Sequence, residues 1–269
     1  MTPLPIKRRW LHRTLAVLAV ILLALLVKFI LHLVLPRNYK GSGEALSIQL
    51  PSGRFEVLYY NGDEVPLGIV VLGTGDGGWS YWEERVAKHL VAKHYAVAGW
   101  DCRKFADSRH YNQAELGAGF QAAAAVGRKR SGAGDAPLWY GGWSTGAEQS
   151  VAAAADSHRP PELVGLLLAA PGEHGRYGIT ASDLLGMEPY GTGTFALAEF
   201  SRKLGGIRVA QFSAGLDPLD NAKWLKTLPK GSYQLIKLPL CLHDMGGAGD
   251  EFLRKLDEAM QWSLIAPNP

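Results

Sequence analysis

Ser144 lies in Tyr140-Gly141-Gly142-Trp143-Ser144-Thr145-Gly146-Ala147, a Gly-x-Ser-x-Gly pattern with an apolar run before it and an alanine-rich run after it. A serine hydroxyl is a weak nucleophile, so it needs a base to take its proton and a sharp strand-to-helix turn to lift it clear of the sheet. Small residues on either side let that turn close, and the N-terminus of the following helix favours developing negative charge. The same chemistry asks for an acid and then a histidine, each just after a late strand. Asp217, in Ser213-Ala214-Gly215-Leu216-Asp217-Pro218-Leu219-Asp220, and His243 stand in those places. In this assignment Ser144 attacks a carbonyl, His243 takes and returns the proton, and Asp217 orients the imidazole. Asp220 is the reserve acid, although it looks better placed to cap a helix around residues 222–225. His174 is the reserve base.

Two backbone N–H groups must then meet the oxyanion. The first is expected from Thr145, and the second from Gly75 or Asp76 in the glycine-rich loop Gly73-Thr74-Gly75-Asp76-Gly77-Gly78-Trp79. A phosphate cradle is the rival reading of that loop. It lacks the Gly-Lys-Ser/Thr ending of a P-loop, and its spacing does not fit a dinucleotide fingerprint. No zinc-ligand spacing and no histidine or cysteine cluster is present, so catalysis is expected without metal or cofactor. Glu148, in the first turn of the helix after Ser144, suits the helix dipole. It is also a candidate partner for a substrate ammonium, as is Asp76. Trp79 and Trp143 complete the candidate substrate contacts.

These residues have to be positioned by a sheet. Residues 55–60, 67–72, 95–100, 138–142, 163–169, 207–212 and 233–238 read as strands, mostly apolar without strict alternation, as strands buried on both faces are. Residues 79–93, 112–126, 145–156 and 250–262 read as helices between them. That alternation predicts an α/β fold with a mostly parallel sheet and helices on both faces, and the chemistry of such sheets gathers at the carboxyl ends of the strands.

At 269 residues and 47% hydrophobic content, the chain can bury one sizeable core and carry an appendage at its front. Lys7, Arg8, Arg9 and Arg13 precede an apolar run from Leu15 to Leu35, long enough for a helix to cross a hydrocarbon core about 30 Å thick. No Ala-x-Ala-like cleavage site stands out, and Lys28 can snorkel. The expectation is an uncleaved, single-pass inner-membrane anchor with a cytoplasmic N-terminus and a periplasmic catalytic domain. The boundaries read as 1–36 for basic head and anchor, 37–45 for a linker and 46–269 for the domain. The net charge of +3 owes much to the basic head and does not argue for nucleic acid. Cys102 and Cys241 could form at most one disulfide, or pack as small hydrophobes.

The loop Gly75-Asp76-Gly77-Gly78-Trp79, the segment Ala98-Gly99-Trp100-Asp101, the elbow Gly142-Trp143-Ser144-Thr145-Gly146-Ala147-Glu148 and the late Asp217 and His243 resemble the bacterial VirJ/AcvB virulence-protein family. The likeness covers most of the chain after the linker. It implies a periplasmic serine hydrolase of the α/β-hydrolase fold that cleaves aminoacylated phosphatidylglycerol, notably the lysyl form, with proposed roles beside type IV secretion. Carried over, the family's elbow serine falls on Ser144, its acid on Asp217 and its base on His243. A general lipase or esterase, with residues 172–204 contributing a cap, is the alternative within the same chemistry. A noncatalytic adaptor that docks secretion or envelope partners is the alternative outside it.

Overall fold

A computed structural model describes residues 6–34, 39–106, 109, 111–245 and 247–265. These fall into two compact units, one on either side of the boundary between residues 36 and 37. In the first, Ile6–Val34 forms one α-helix of 29 residues, α1. Its side chains are described at Trp10 and over 12–27, all of them exposed. Among the described residues no helix is long and apolar enough to cross a membrane. The outer end of the Leu15 to Leu35 run lies outside the described side chains.

The second unit is built on an eight-stranded sheet. In chain order its strands are β1 (Glu44–Leu50), β2 (Gly53–Tyr60), β3 (Gly68–Gly73), β4 (Tyr95–Trp100), β5 (Leu138–Trp143), β6 (Leu163–Ala169), β9 (Arg208–Ala214) and β10 (Tyr233–Leu238). The spatial order is β1-β2-β4-β3-β5-β6-β9-β10. β1 pairs antiparallel with β2 and β2 with β4; every pairing beyond β4 is parallel. β3, β4 and β5 are buried along their whole length, which is why their sequences show no alternation.

Helices cover both faces. Ile69, Val71, Trp100 and Tyr140 pack toward α4 (Gln113–Ser131) and α5 (Thr145–Ala154), alongside Phe120 and Val151. Val70, Leu72 and Trp139 pack toward α2 (Tyr81–Ala92) and α7 (Gly249–Ser263), alongside Leu90, Phe252 and Leu256. Between β6 and β9 the chain inserts a two-stranded sheet, β7 (His174–Arg176) with β8 (Thr194–Ala196), and the short helix α6 (Ala181–Leu184). Residues 172–204 are therefore an ordered insertion. A further short helix, α3 (Cys102–Ala106), follows β4. Cys102 and Cys241 are both buried and unpaired, the small-hydrophobe alternative.

The start of the domain differs from the sequence reading. β1 begins at Glu44, and the supposed linker is already packed two residues earlier. Ser42 Oγ donates to Glu84 Oε1 at 2.5 Å, and a Cβ on Gly41 would lie 2.6 Å from Tyr60 Oη. A polar, glycine-bearing stretch looks like a tether in sequence; here the missing side chains let the backbone lie flat on aromatic rings.

Three glycines set the geometry at the carboxyl edge of the sheet. A Cβ on Gly146 would fall 2.4 Å from the carbonyl carbon of Gly73, and one on Gly142 would fall 2.4 Å from the Gly73 oxygen. The end of β3, the end of β5 and the start of α5 thus meet backbone to backbone. Gly146→Ala is expected to cost about 1–3 kcal/mol, because rigid backbone rather than a side chain must move. Gly62→Ala, whose new Cβ would sit 3.9 Å from Val91, is expected to stay within about 0.5 kcal/mol. Denaturant unfolding of the two variants checks the difference.

Candidate active site

β5 ends at Trp143 and α5 begins at Thr145, so a single residue turns the chain from strand to helix. That residue is Ser144, with φ 52 and ψ −122. Positive φ in a residue with a side chain costs on the order of 1–3 kcal/mol and persists only where the surroundings impose it. Here the Ser144 N–H donates to the Ala169 carbonyl at 2.9 Å, and its own carbonyl accepts from Ala147 and Glu148 N–H at 2.8 and 3.1 Å. Both Ser144 and Thr145 keep partial solvent exposure.

Asp217 and His243 come from the loops after β9 and β10. Those loops are laced together: Gly215 N–H donates to Leu238 and Leu216 N–H to Cys241, each at 2.9 Å. Asp217 Oδ2 bonds His243 Nδ1 at 2.6 Å, and Oδ1 accepts from Leu219 N–H at 3.0 Å. The residue before the nucleophile holds the histidine from the other side. Trp143 Nε1 donates to the His243 carbonyl at 2.6 Å, with the two rings 5.3 Å apart. The structure therefore brings the sequence-assigned acid, base and elbow to one place.

The reserve residues have other duties. Asp220 does not cap the turn at Lys223–Thr227; it closes the acid loop, accepting from Ala214 N–H at 2.5 Å and from Gln211 Nε2 at 3.1 Å. Asn221 Oδ1 takes the cap, receiving Lys223 N–H at 2.9 Å. His174 pairs with Glu188 at 2.6 Å on the inserted sheet.

Burial of the His243 imidazole disfavours its charged form, but the bond to Asp217, that carboxylate's charge, and the charges of Asp76 and Glu148 outweigh it and raise the pKa above 6.5. Burial would raise Asp217, yet its hydrogen bonds from His243 and Leu219 and the histidine's charge bring it below its ordinary value. Glu148 goes the other way. It is 6% exposed, and desolvation pushes it up to about 7 against one backbone bond from Gly172 N–H at 2.9 Å. It sits beneath residues 172–175 rather than open to solvent, so its helix-terminus role is joined by a packing one.

The glycine-rich loop after β3 also refines the assignments. Gly75 N–H donates to Glu83 Oε1 at 3.3 Å, which turns it into the protein, so Asp76 is the better placed of the two to supply the second oxyanion N–H. Trp79 is not a substrate contact. Its ring is 2% exposed, stacks on Tyr60 at 5.7 Å, and lies over β4 where a Cβ on Gly99 would come within 2.4 Å of it. Trp143 is buried as well, wedged between Gly75 and His243. Trp143 thus packs between the loop after β3 and the base. Glu83 escaped the sequence reading. The only signal was Ser80-Tyr81-Trp82-Glu83, which has capping-box spacing, whereas the carboxylate is spent on Gly75 N–H and Ser80 Oγ.

No protein-family model and no curated protein matches the chain. Solved structures do. An esterase of Pyrococcus furiosus is similar with a TM-score of 0.64 and 11% identity, covering 84% of this chain and 96% of its own. The esterase domain of a Rhodothermus marinus protein is similar with a TM-score of 0.56 and 13% identity, covering 81% and 95%. A monoglyceride lipase variant from Saccharomyces cerevisiae is similar with a TM-score of 0.56 and 15% identity, covering 85% and 98%. The domain therefore has the α/β-hydrolase fold, with its mostly parallel sheet and helices on both faces.

The His243 pKa reports the acid–base pair directly. In Asp217→Asn the bond to the carboxylate and its charge, the largest influences that raise it, are lost, while burial, which lowers it, and the charges of Asp76 and Glu148 remain. The imidazole is expected to titrate at a lower pH in the variant than in the natural protein, as read from ring-proton NMR across pH.

Proposed function

We propose that the chain is a serine ester hydrolase acting on amphiphilic, aminoacylated lipid, in line with its resemblance to the VirJ/AcvB family. The observation that carries the hydrolase reading is Ser144 at positive φ on the strand-to-helix turn, directly after the Trp143 that holds a His243 bonded through Nδ1 to Asp217. With Nδ1–H committed to the carboxylate, Nε2 is the acceptor for the serine proton. Ser144 Oγ attacks the ester carbonyl, and the oxyanion receives the N–H groups of Thr145 and Asp76. Collapse expels the alcohol with the proton held by His243, leaving an acyl-serine. Water, deprotonated by the same imidazole, then releases the acid.

Two features support the finer substrate reading. Asp76 acts electrostatically on His243, so a substrate cation next to the scissile ester meets negative charge there. Leu216, Leu240 and Leu242, on the two loops that carry acid and base, are 54%, 79% and 59% exposed, an apolar rim suited to an acyl chain. In this reading α1 and the rest of the apolar run anchor the chain in the bacterial inner membrane, with the domain in the periplasm. Such a tether raises the effective concentration of lipid substrate. Secretion or envelope proteins as partners remain part of the same proposal. The esterases and the monoglyceride lipase of similar fold support the broader alternative, a hydrolase of neutral esters.

The full chain in detergent, offered lysyl-phosphatidylglycerol, is expected to release lysine, and Ser144→Ala to lose about 10³-fold or more of that rate. Turnover of a neutral ester alone selects the broader alternative, and no turnover of either ester contradicts the hydrolase. Asp76→Asn separates the amine reading further. It should lower kcat/KM for the lysyl lipid about 10-fold more than for a neutral ester, the value of one charge-assisted hydrogen bond; an unchanged ratio removes Asp76 from ammonium recognition.

A further inference from the structure

Glu83 is fully buried, on the first turn of α2, and one of its oxygens faces the loop that supplies the oxyanion site. A buried carboxylate is costly unless hydrogen-bonded. Glu83 Oε1 accepts the Gly75 N–H at 3.3 Å, and Oε2 accepts from Ser80 Oγ.

Gly75 cannot carry a side chain, because a Cβ there would lie 2.8 Å from the Trp143 ring. Trp143 in turn holds His243. The position is thus restricted to the residue with the widest backbone freedom, at the point where the loop must present one N–H in a fixed direction. Other contacts hold the neighbours and the carbonyl end of Gly75, which also accepts Gly78 N–H at 3.2 Å, and Glu83 holds the amide end of the same residue. Thr74 Oγ1 donates to the Gly75 carbonyl at 2.9 Å and accepts Cys102 N–H at 3.0 Å, while Asp101 accepts Trp79 N–H at 3.4 Å and Lys104 N–H at 2.9 Å. Peptide groups are planar, so only φ and ψ of Gly75 separate its own N–H from that of Asp76. Holding one limits the other.

We propose that Glu83 is a positioning residue for the oxyanion site: by binding Gly75 N–H it restrains the glycine that Trp143 requires, and thereby aims the Asp76 N–H at the substrate oxygen. This rests on the hydrolase reading above and adds a residue to it. Such a residue acts on the transition state, where the oxyanion forms, rather than on the bound ester.

The test uses the full chain in detergent with p-nitrophenyl acetate, a boronic acid that forms a tetrahedral serine adduct, and exchange of the Gly75 amide followed by NMR with isotope-labelled glycine. Glu83→Ala should lower kcat about 10²-fold, leave KM within about 3-fold, and weaken the boronic acid in parallel with kcat. Glu83→Gln keeps an acceptor for Gly75 and a donor for Ser80 Oγ, so it should recover kcat to within about 5-fold of the natural protein. The proposal is overturned by a folded Glu83→Ala that keeps its kcat, or by losses in kcat, KM and stability that Glu83→Gln shares in full. Should Glu83→Ala fail to fold, the natural chain decides: slow exchange at Gly75 that persists in Glu83→Gln supports the proposal, and exchange as fast as an open loop amide overturns it. If the natural chain turns over no ester, the hydrolase reading falls by itself, and the same exchange measurement still decides whether Glu83 holds the loop.

Discussion

Backbone meets backbone where Gly146 packs on Gly73 and Gly142, and the arrangement of the site depends on that contact. It draws the first turn of α5 onto the end of β3, so the chain has one residue in which to pass from strand to helix. Ser144 absorbs the change at positive φ. The same contact brings the loop after β3 beside the first turn of α5. Parallel pairing then does the rest. The registers of β3 with β5, β5 with β6 and β6 with β9 place the ends of these strands along one edge, and the acid and base loops leave from its far side.

Carboxylates crowd this edge, and their fates differ with their partners rather than with their burial alone. Glu84 is nearly buried, and desolvation alone would raise it. It receives Ser42, Tyr60 and Lys88 and is held down to about 2. Glu148 has one backbone donor and is pushed up to about 7. Asp217 is held below its ordinary value against burial, chiefly by its bond to the imidazole. Among these three, the donors around each carboxylate decide the direction of its shift.

Much of this was legible in sequence. The strands at 95–100, 163–169 and 233–238 are found with the same bounds, the first two because buried strands leave nearly uninterrupted apolar runs. The order serine, acid, histidine was legible because each falls directly after a strand. β1 was missed, since its outward face is polar and it begins inside a glycine-bearing stretch. Trp79 and Trp143 were misread as substrate contacts because aromatic type alone does not say which way a ring faces. Gly99 and Gly75 decide that, by making room for each indole. Asp220 resembled a cap by spacing, but a nearer competitor, Asn221, took the N–H. Glu83 was hidden for the same reason: its partner lies eight residues back, across a loop.

The central claim is that Ser144 is a nucleophile activated by His243 across this turn. A fluorophosphonate, which reacts with activated serines, tests it most directly when the labelled full chain is digested and its peptides are weighed. The structure predicts one label, on the peptide carrying Ser144, lost in His243→Ala. A chain that takes no label, or that labels equally well without His243, would contradict it.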